Sequence, residues 1–545
     1  MNKLSSGQTR RQFLRHSMRL GAAMTVGASG LWLPTHVAAQ SSPSGVVETD
    51  QGRVRGYVNE GVSVFKGIPY GASTAGENRF RPPQPAAAWT GVRKAREYGP
   101  TAPQSLGQNG GLGDGQSEDC LVINVWTPEA NSNKKRPVMF WCHGGGFTSL
   151  SGSSPSYDGT NLCNRGDVVL VTVNHRLNIM GFTHMAELGG EAFEHAGTAG
   201  MLDLVAALQW VQRNIEQFGG DPDNVMIFGE SGGGRKVGTL LAMPAAKGLF
   251  HRAVIQSGPS MRLVSAEAGA RLANSLFKEL GHTAGDMKAV QNAPVENIIG
   301  AYQRIARQPG YQAVTAGFAP VVDGDALPYP SFHPEASPVN PDVPVIVGAN
   351  RTELTLQMRG DEAAFNMNEK QLEERLQSVT GELTKDVIDV YRTAEPDASP
   401  SELYFLIVSD HRYVIPCTVI AERRAALNAG PVRSYYLTWE TKTLGGKLMT
   451  PHALDIPFVF DNTHSERTVY GFTTGTEEER SMADKISDSW IAFARSGNPD
   501  TGKLPDWPTY CKASRQVMVL DNDSKVVEDP IRSRREIMQE VLQLS

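Results

Sequence analysis

One five-residue segment constrains this chain more than any other: Gly229-Glu230-Ser231-Gly232-Gly233. It follows Asn224-Val225-Met226-Ile227-Phe228, a short apolar run that reads as a buried strand. A glycine-softened segment able to start a helix comes next. Strand, sharp turn and helix put the serine on a strained corner where bulky neighbours would clash. Its oxygen then stands clear of the backbone above a helix N-terminus, where developing negative charge is favoured. A chain of 545 residues with 55 glycines can carry G-x-S-x-G by chance. The other parts of a nucleophilic site must therefore be found independently.

Upstream, Val138-Met139-Phe140-Trp141-Cys142 is a second apolar strand, and it runs into His143-Gly144-Gly145-Gly146-Phe147. Glycines let backbone N–H groups converge on one point, as an oxyanion hole requires. The expected donors are the amides of Gly145, Gly146 and Gly232. With both motifs present the chain reads as a serine hydrolase, in which the partners follow in the order Ser, Asp or Glu, His. Pro344-Val345-Ile346-Val347-Gly348 reads as a strand, with Glu353 a few residues past its end. His452 lies in a loop ahead of the apolar run Ile456–Phe460 and could act as general base. His251, His282, His333, His411 and His464 also follow Ser231, and spacing does not choose among them.

From about Val46 to the C-terminus the chain resembles the type-B carboxylesterases, which include bacterial p-nitrobenzyl esterases and the cholinesterases. The resemblance rests on the two glycine motifs and on Phe65-Lys66-Gly67-Ile68-Pro69-Tyr70, Arg79-Phe80-Arg81-Pro82-Pro83 and Ser117-Glu118-Asp119-Cys120-Leu121. It continues through Asn174-His175-Arg176-Leu177, Asn214 to Pro222, Ala253 to Gly258 and Gly497-Asn498-Pro499. It implies an α/β-hydrolase fold and a triad of Ser231, Glu353 and His452. It also implies that Ser257 helps hold the acid and the histidine, and that Arg79–Glu118 and Arg176–Asp203 are structural ion pairs. Glu230 is expected as a polar group near the floor of the site that could assist the admission of water. Phe147 and Arg235 are the candidates for touching substrate.

The departures from the family pattern are informative. Relatives often pair the cysteine matching Cys120 with one at the position of Ala102, so Cys120 has no obvious partner. The loop between, Gly107 to Gly115, contains no tryptophan. Cholinesterases hold the choline cation on a tryptophan there by cation–π attraction, which argues against a choline ester. The family's usual tyrosine is His175 here. Arg235 and Lys236 stand where relatives often carry small residues. A buried charge is costly unless paired, so both are expected to meet carboxylates or reach a wet edge. The sharper alternative is a preference for acidic esters.

Residues 1–39 read as a twin-arginine signal peptide. Thr9-Arg10-Arg11-Gln12-Phe13-Leu14-Arg15 is followed by a weakly apolar run, about Leu20 to Leu33, and by the small residues Val37-Ala38-Ala39. That run is shorter than the ~20 residues of a membrane span, and no later stretch is expected to span. The expectation is export to the periplasm or medium by the twin-arginine machinery, without a stable membrane anchor. The whole chain carries −6; the leader holds five basic residues and no acid, so the remainder carries −11. That balance discourages nucleic acid as a partner. The five cysteines suggest neither a disulfide framework nor a metal knot, and Cys142 is expected to pack as a small core residue. Arg534-Arg535 reads as part of a helix face.

The spread of the triad over more than two hundred residues favours one large domain, residues 40–545, over the several that length suggests. Strands Val168–Val173, Val225–Phe228, Ala253–Gln256 and Val343–Val347 alternate with helical segments such as Leu202–Phe218, which implies a mostly parallel sheet. Helix-rich stretches at about 261–307 and 366–426 are expected to cap the site and wall its gorge. The activity this implies is hydrolysis of a small-molecule carboxylic ester through an acyl-enzyme, with no metal or organic cofactor. The alternatives are an amidase, carbamate hydrolase or acyltransferase on the same triad, a lipase, or a non-catalytic binding protein.

Overall fold

The β-branched and aromatic runs of the sequence become strands buried on both faces, as a sheet covered by helices on each side requires. The computed structural model describes residues 42–104, 115–308, 319–464, 467 and 469–544, and residues 42–545 form one compact unit. The expected signal peptide and all but Gly115 of the loop Gly107–Gly115 lie outside the described residues.

In chain order the strands are β1 (Pro43–Thr49), β2 (Gly52–Asn59), β3 (Val62–Pro69), β4 (Val92–Lys94), β5 (Val122–Thr127), β6 (Arg136–Cys142), β7 (Val169–Val173), β8 (Gly220–Glu230) and β9 (Arg252–Gln256). They continue with the short β10 (Val264–Ser265) and β11 (Val321–Val322), then β12 (Val345–Asn350), β13 (Val432–Leu437), β14 (Gln516–Leu520) and β15 (Lys525–Glu528). The main sheet runs β1-β2-β3-β5-β7-β6-β8-β9-β12-β13-β14-β15, with β4 paired to β2. From β7 through β14 every neighbouring pair is parallel. The flanks, β1-β2-β3-β5-β7 and β14-β15, are antiparallel. Polar segments at both edges thus shield a fully buried parallel centre.

The four expected strands are present as β7, β8, β9 and β12, with β8 longer than its apolar run. The expected helix is Ala199–Asn214, closed by a 3-10 turn Ile215–Phe218. Residues 261–307 hold the helices Ala266–Leu280, Met287–Asn292 and Val295–Ala306. Residues 366–426 hold Glu369–Thr380, Thr384–Ala394, Pro400–Ser409 and Ile415–Ala425, the last two joined by a π-helical turn Asp410–Val414. The continuous stretch Pro400–Ala425 is long and apolar enough to cross a membrane by length and composition alone, but 83% of its 18-residue apolar window is buried inside the protein. It is a core helix.

Both expected ion pairs form. Arg79 grips Glu118 through two hydrogen bonds and also donates to the carbonyls of Val290, Gln291 and Ala293. Arg176 holds Asp203 through both carboxylate oxygens, and both side chains are buried. Cys120 and Cys142 are buried free thiols. Arg534 and Arg535 do lie on a helix, Arg532–Leu542, but they face inward: Arg534 pairs with Asp410 and Glu395, Arg535 with Asp529.

Candidate active site

Ser231 is the one-residue corner between β8 and the helix Gly232–Leu240, with φ 56° and ψ −120°. A non-glycine residue in that region is strained, and such strain persists only where the surroundings enforce it. Here the Ser231 N–H donates to the Gln256 carbonyl at the end of β9, and Gly229, Gly233 and Gly234 leave no room for a Cβ against neighbouring backbone.

The loop after β6 meets this corner. A Cβ on Gly232 would collide with the Gly146 backbone, and one on Gly144 would lie 3.7 Å from the Ser231 Cβ. Gly145 and Gly146 adopt φ +81° and +62°, and the Gly146 backbone N lies 2.3 Å from where a Cβ on Gly232 would stand. The glycine pattern is thus a matter of close backbone approach as well as of the turn itself.

Glu353 and His452 come from loops after β12 and β13 that are laced together. The His452 N–H donates to the Glu353 carbonyl, Thr352 N–H to the Thr450 carbonyl, and the Asn350 side chain to the Pro451 carbonyl. His452 Nδ1 donates to Glu353 Oε2 at 2.5 Å. The other carboxylate oxygen accepts from Ser257 Oγ at 2.6 Å and from the Asn350 N–H at 2.7 Å. Glu353 is fully buried and His452 is 6% exposed. A carboxylate so held fixes the ring's orientation, with Nδ1 donating to it and Nε2 left to face the site.

Nε2 does not meet Ser231; among the described residues no hydrogen bond joins Ser231 Oγ to His452. It lies instead 3.1 Å from Glu230 Oε1, off the line of a hydrogen bond, and that oxygen has no other partner. Burial pushes the Glu230 carboxyl up to about 8, with Asp455 and Glu353 adding to the shift and His452 opposing it. Burial also works against a charged His452, but Glu230, Tyr413 and Glu353 outweigh it and raise the imidazole well above its ordinary range. Groups this close titrate as a coupled pair.

Sequence reasoning missed three participants. Asn350 anchors Glu353 through its backbone. Tyr413 packs its ring 4.7 Å from that of His452. Asp455 sits behind the histidine, accepting from Gln256 and Tyr435, and burial lifts its carboxyl to about 6. Asp455 had a signal, three residues after His452; Tyr413, inside a π-helical turn, had none.

Of the two candidates for touching substrate, Phe147 is buried edge-on to Phe182 at 5.1 Å and packs in the core. Arg235 lies one helical turn after Ser231, half-buried, with no carboxylate partner among the described residues. Lys236 departs from both parts of its expectation. It is completely buried, and its Nζ donates to the His143 carbonyl at 2.7 Å.

A mostly parallel sheet whose strand ends present a strained serine, a glycine-rich amide loop and a carboxylate-bound histidine defines an α/β-hydrolase. Residues 43–538 match the model of the carboxylesterase family. The chain is 34% identical to the para-nitrobenzyl esterase of Bacillus subtilis over 496 residues, which cover 90% of this chain and 98% of that one. It is 32% identical to the phenmedipham hydrolase of Pseudarthrobacter oxydans over 89% of this chain and 97% of that one. Among solved structures, the Geobacillus stearothermophilus carboxylesterase EST55 superposes with a TM-score of 0.79 at 39% identity, covering 91% of this chain and 100% of that one. The chain belongs to the carboxylesterase family and is a serine-dependent ester hydrolase.

Proposed function

We propose that Ser231 is the nucleophile of this carboxylesterase, His452 its general base and Glu353 the acid that orients the base. Ser231 Oγ attacks the ester carbonyl as its proton passes to His452 Nε2. The amides of Gly145, Gly146 and Gly232 receive the oxyanion, where each such donor is worth about 10²–10³ in rate. His452 then protonates the leaving alcohol, and water repeats the sequence to release the acid. Glu230 Oε1 lies 3.1 Å from the resting Nε2, which must turn from it to serve Ser231.

The observation that carries this reading is the 2.5 Å contact between His452 Nδ1 and Glu353, set beside a serine held at positive φ. Its test is hydrolysis of p-nitrophenyl acetate, butyrate and octanoate by the mature chain, beside Ser231→Ala and after a serine-reactive phosphonate. Wild-type turnover, lost in the variant and on labelling of Ser231, is expected. A folded protein that neither turns over nor takes the label overturns the assignment. The rank order of the three esters measures the acyl pocket walled by the helical insertions.

Two further readings belong with it. Residues 1–39 direct export of residues 40–545, a single domain, through the twin-arginine machinery to the periplasm or medium. Replacing Arg10 and Arg11 by lysine is expected to leave the enzyme in the cytoplasm, and unchanged export would refute this. Arg235 favours esters that carry an anionic group, because it follows Ser231 by one helical turn and has no carboxylate partner among the described residues.

A further inference from the structure

A second buried polar cluster lies beneath the glycine loop, and the reaction as described leaves it without a role. His143 and His175, each 1% exposed, stack with ring centroids 5.1 Å apart and planes 27° from parallel. His143 Nδ1 faces the Gly144 carbonyl at 2.9 Å, and His175 Nδ1 faces the Arg176 carbonyl at 2.7 Å. A carbonyl only accepts, so Nδ1 carries the proton in both rings and Nε2 holds a lone pair. Neither Nε2 has a hydrogen-bond partner. Burial first, and then the charge of Lys236, hold both imidazoles well below their ordinary range, so both are neutral. Beside these two acceptors stands Lys236, 0% exposed, with three N–H bonds and one acceptor, the His143 carbonyl at 2.7 Å.

The position of that carbonyl gives the cluster its meaning. It belongs to the peptide that leads into Gly144-Gly145-Gly146, and glycines at positive φ do little to hold a loop in one conformation. Lys236 lies four residues after Gly232 on the same helix face, so one turn carries both an oxyanion amide and the side chain that ties down the loop bearing the other two. Burying an amine here is expensive: Lys236 is pushed down to about 7 by burial. An apolar residue would fill the space at less cost, which argues that the hydrogen bond itself is needed.

We propose that Lys236 is a positioning residue for the oxyanion hole: its bond to the His143 carbonyl fixes the entry to the glycine loop, beside the stacked His143 and His175 whose Nε2 atoms stay unpartnered. The inference rests on the assignment of Gly145, Gly146 and Gly232 as oxyanion donors. It places the benefit of the buried lysine in the transition state and its cost in folding.

The test compares wild type with Lys236→Met and Lys236→Gln, reading kcat, KM and inhibition by an aryl trifluoromethyl ketone. Ser231 Oγ adds to that ketone, the carbonyl electron pair becomes an oxyanion, and His452 takes the proton. The adduct therefore reports on the hole without turnover. Lys236→Met is expected to lower kcat about tenfold to a hundredfold, less than the loss of a whole donor. KM should stay within about threefold, and ketone affinity should fall in parallel with kcat. Lys236→Gln, which keeps a donor, is expected to recover part of both. A folded Lys236→Met with kcat and ketone affinity within about twofold of wild type overturns the inference, as does a rise in KM alone. If Lys236→Met does not fold, the same readings on Lys236→Gln and Lys236→Ala decide: a smaller loss in Lys236→Gln supports the hydrogen-bond role, and an equal loss in both refutes it. Absence of wild-type turnover would instead count against the oxyanion and triad assignment.

Discussion

The two buried polar clusters that meet at Ser231 are built on opposite terms. On one side His452 sits among the carboxyls of Glu230, Glu353 and Asp455. On the other, Lys236 sits among Cys142, His143 and His175, with no carboxylate partner among the described residues. The first cluster gathers negative charge where the mechanism needs a proton to be drawn off and held. The second gathers donors and one positive charge behind the loop where the mechanism needs an anion to be received. The first also has hydrogen bonds to spare, because Glu353 accepts three. The second is short of acceptors for its lysine and of donors for its imidazoles. Glu353 is therefore held through both its oxygens, while the charge of Lys236 rests on a single bond to a carbonyl.

The comparison breaks most sharply at Glu353. Replacing it by glutamine keeps the volume but removes the charge that orients His452. It also sets an amide N–H against the donors of Ser257 and Asn350 or against Nδ1. A loss of about 10⁴ in kcat is expected, as when the acid of a triad is neutralised. Steady-state kinetics on p-nitrophenyl butyrate measure it; a loss below about tenfold would mean that Glu353 is not the orienting acid.

Stability should separate the two sides next. Lys236 holds its proton less tightly when folded than when unfolded, since burial lowers it to about 7 from 10.5. Between those values the unfolded chain binds more protons, so wild-type stability rises with pH there. The groups facing Lys236, namely Cys142 with its thiol pushed up to about 12 by burial and two neutral imidazoles, add no competing charge in that window. Lys236→Met is thus expected to be more stable than wild type by about 1–3 kcal/mol at or below pH 7, with the gap narrowing from pH 7 to 9. Chemical denaturation at those pH values reads it. A variant less stable than wild type across the range would make the lysine a structural support and not a functional cost.

Much of this was legible beforehand, because it is written locally. An apolar run, two glycines and a serine describe a corner without reference to the rest of the chain. The runs at Val138 and Val225 could be read as strands for the same reason. What stayed hidden depends on distant partners. Nothing near Lys236 announces that His143, 93 residues earlier, supplies its acceptor. Nothing near Tyr413 announces that a π-helical turn swings it against His452. Arg534 and Arg535 could be read only as part of a helix face because their acids, Asp410 and Glu395 for one and Asp529 for the other, are set by the fold. The apolar helix Pro400–Ala425 carries no local sign that the protein itself covers it.

Glu230 offers a finer test of the acid side. Its carboxyl lies 3.1 Å from His452 Nε2, and in the proposed mechanism a ring that holds a proton there does not act as a base. Glu230→Gln removes one of the charges that favour the protonated ring, leaving Glu353 and Tyr413 against burial. The His452 pKa then falls, so the acid limb of the kcat/KM profile is expected to move to lower pH. An unmoved limb would show that Glu230 is already neutral whenever the ring titrates, and that Glu353 alone sets the base.

The smallest expected effect concerns substrate choice on the cationic side. Arg235 follows Ser231 by one turn, so the two side chains share a helix face. Burial, and Arg412 beside it, lower its hold on the proton; Tyr413 works the other way. An anionic group on the substrate would relieve both. A hydrogen bond to a charged partner contributes about 1.5–3 kcal/mol, with half-buried sites at the low end. Arg235→Ala is therefore expected to lower the ratio of kcat/KM for a p-nitrophenyl hemiglutarate to that for the neutral valerate about tenfold. Raising the salt concentration should shrink the wild-type ratio in the same direction, because a half-buried charge is still partly screened. If the ratio is the same in variant and wild type, Arg235 is solvated rather than selective, and the lysine beneath the loop is the only cation of the pair that bears on the reaction.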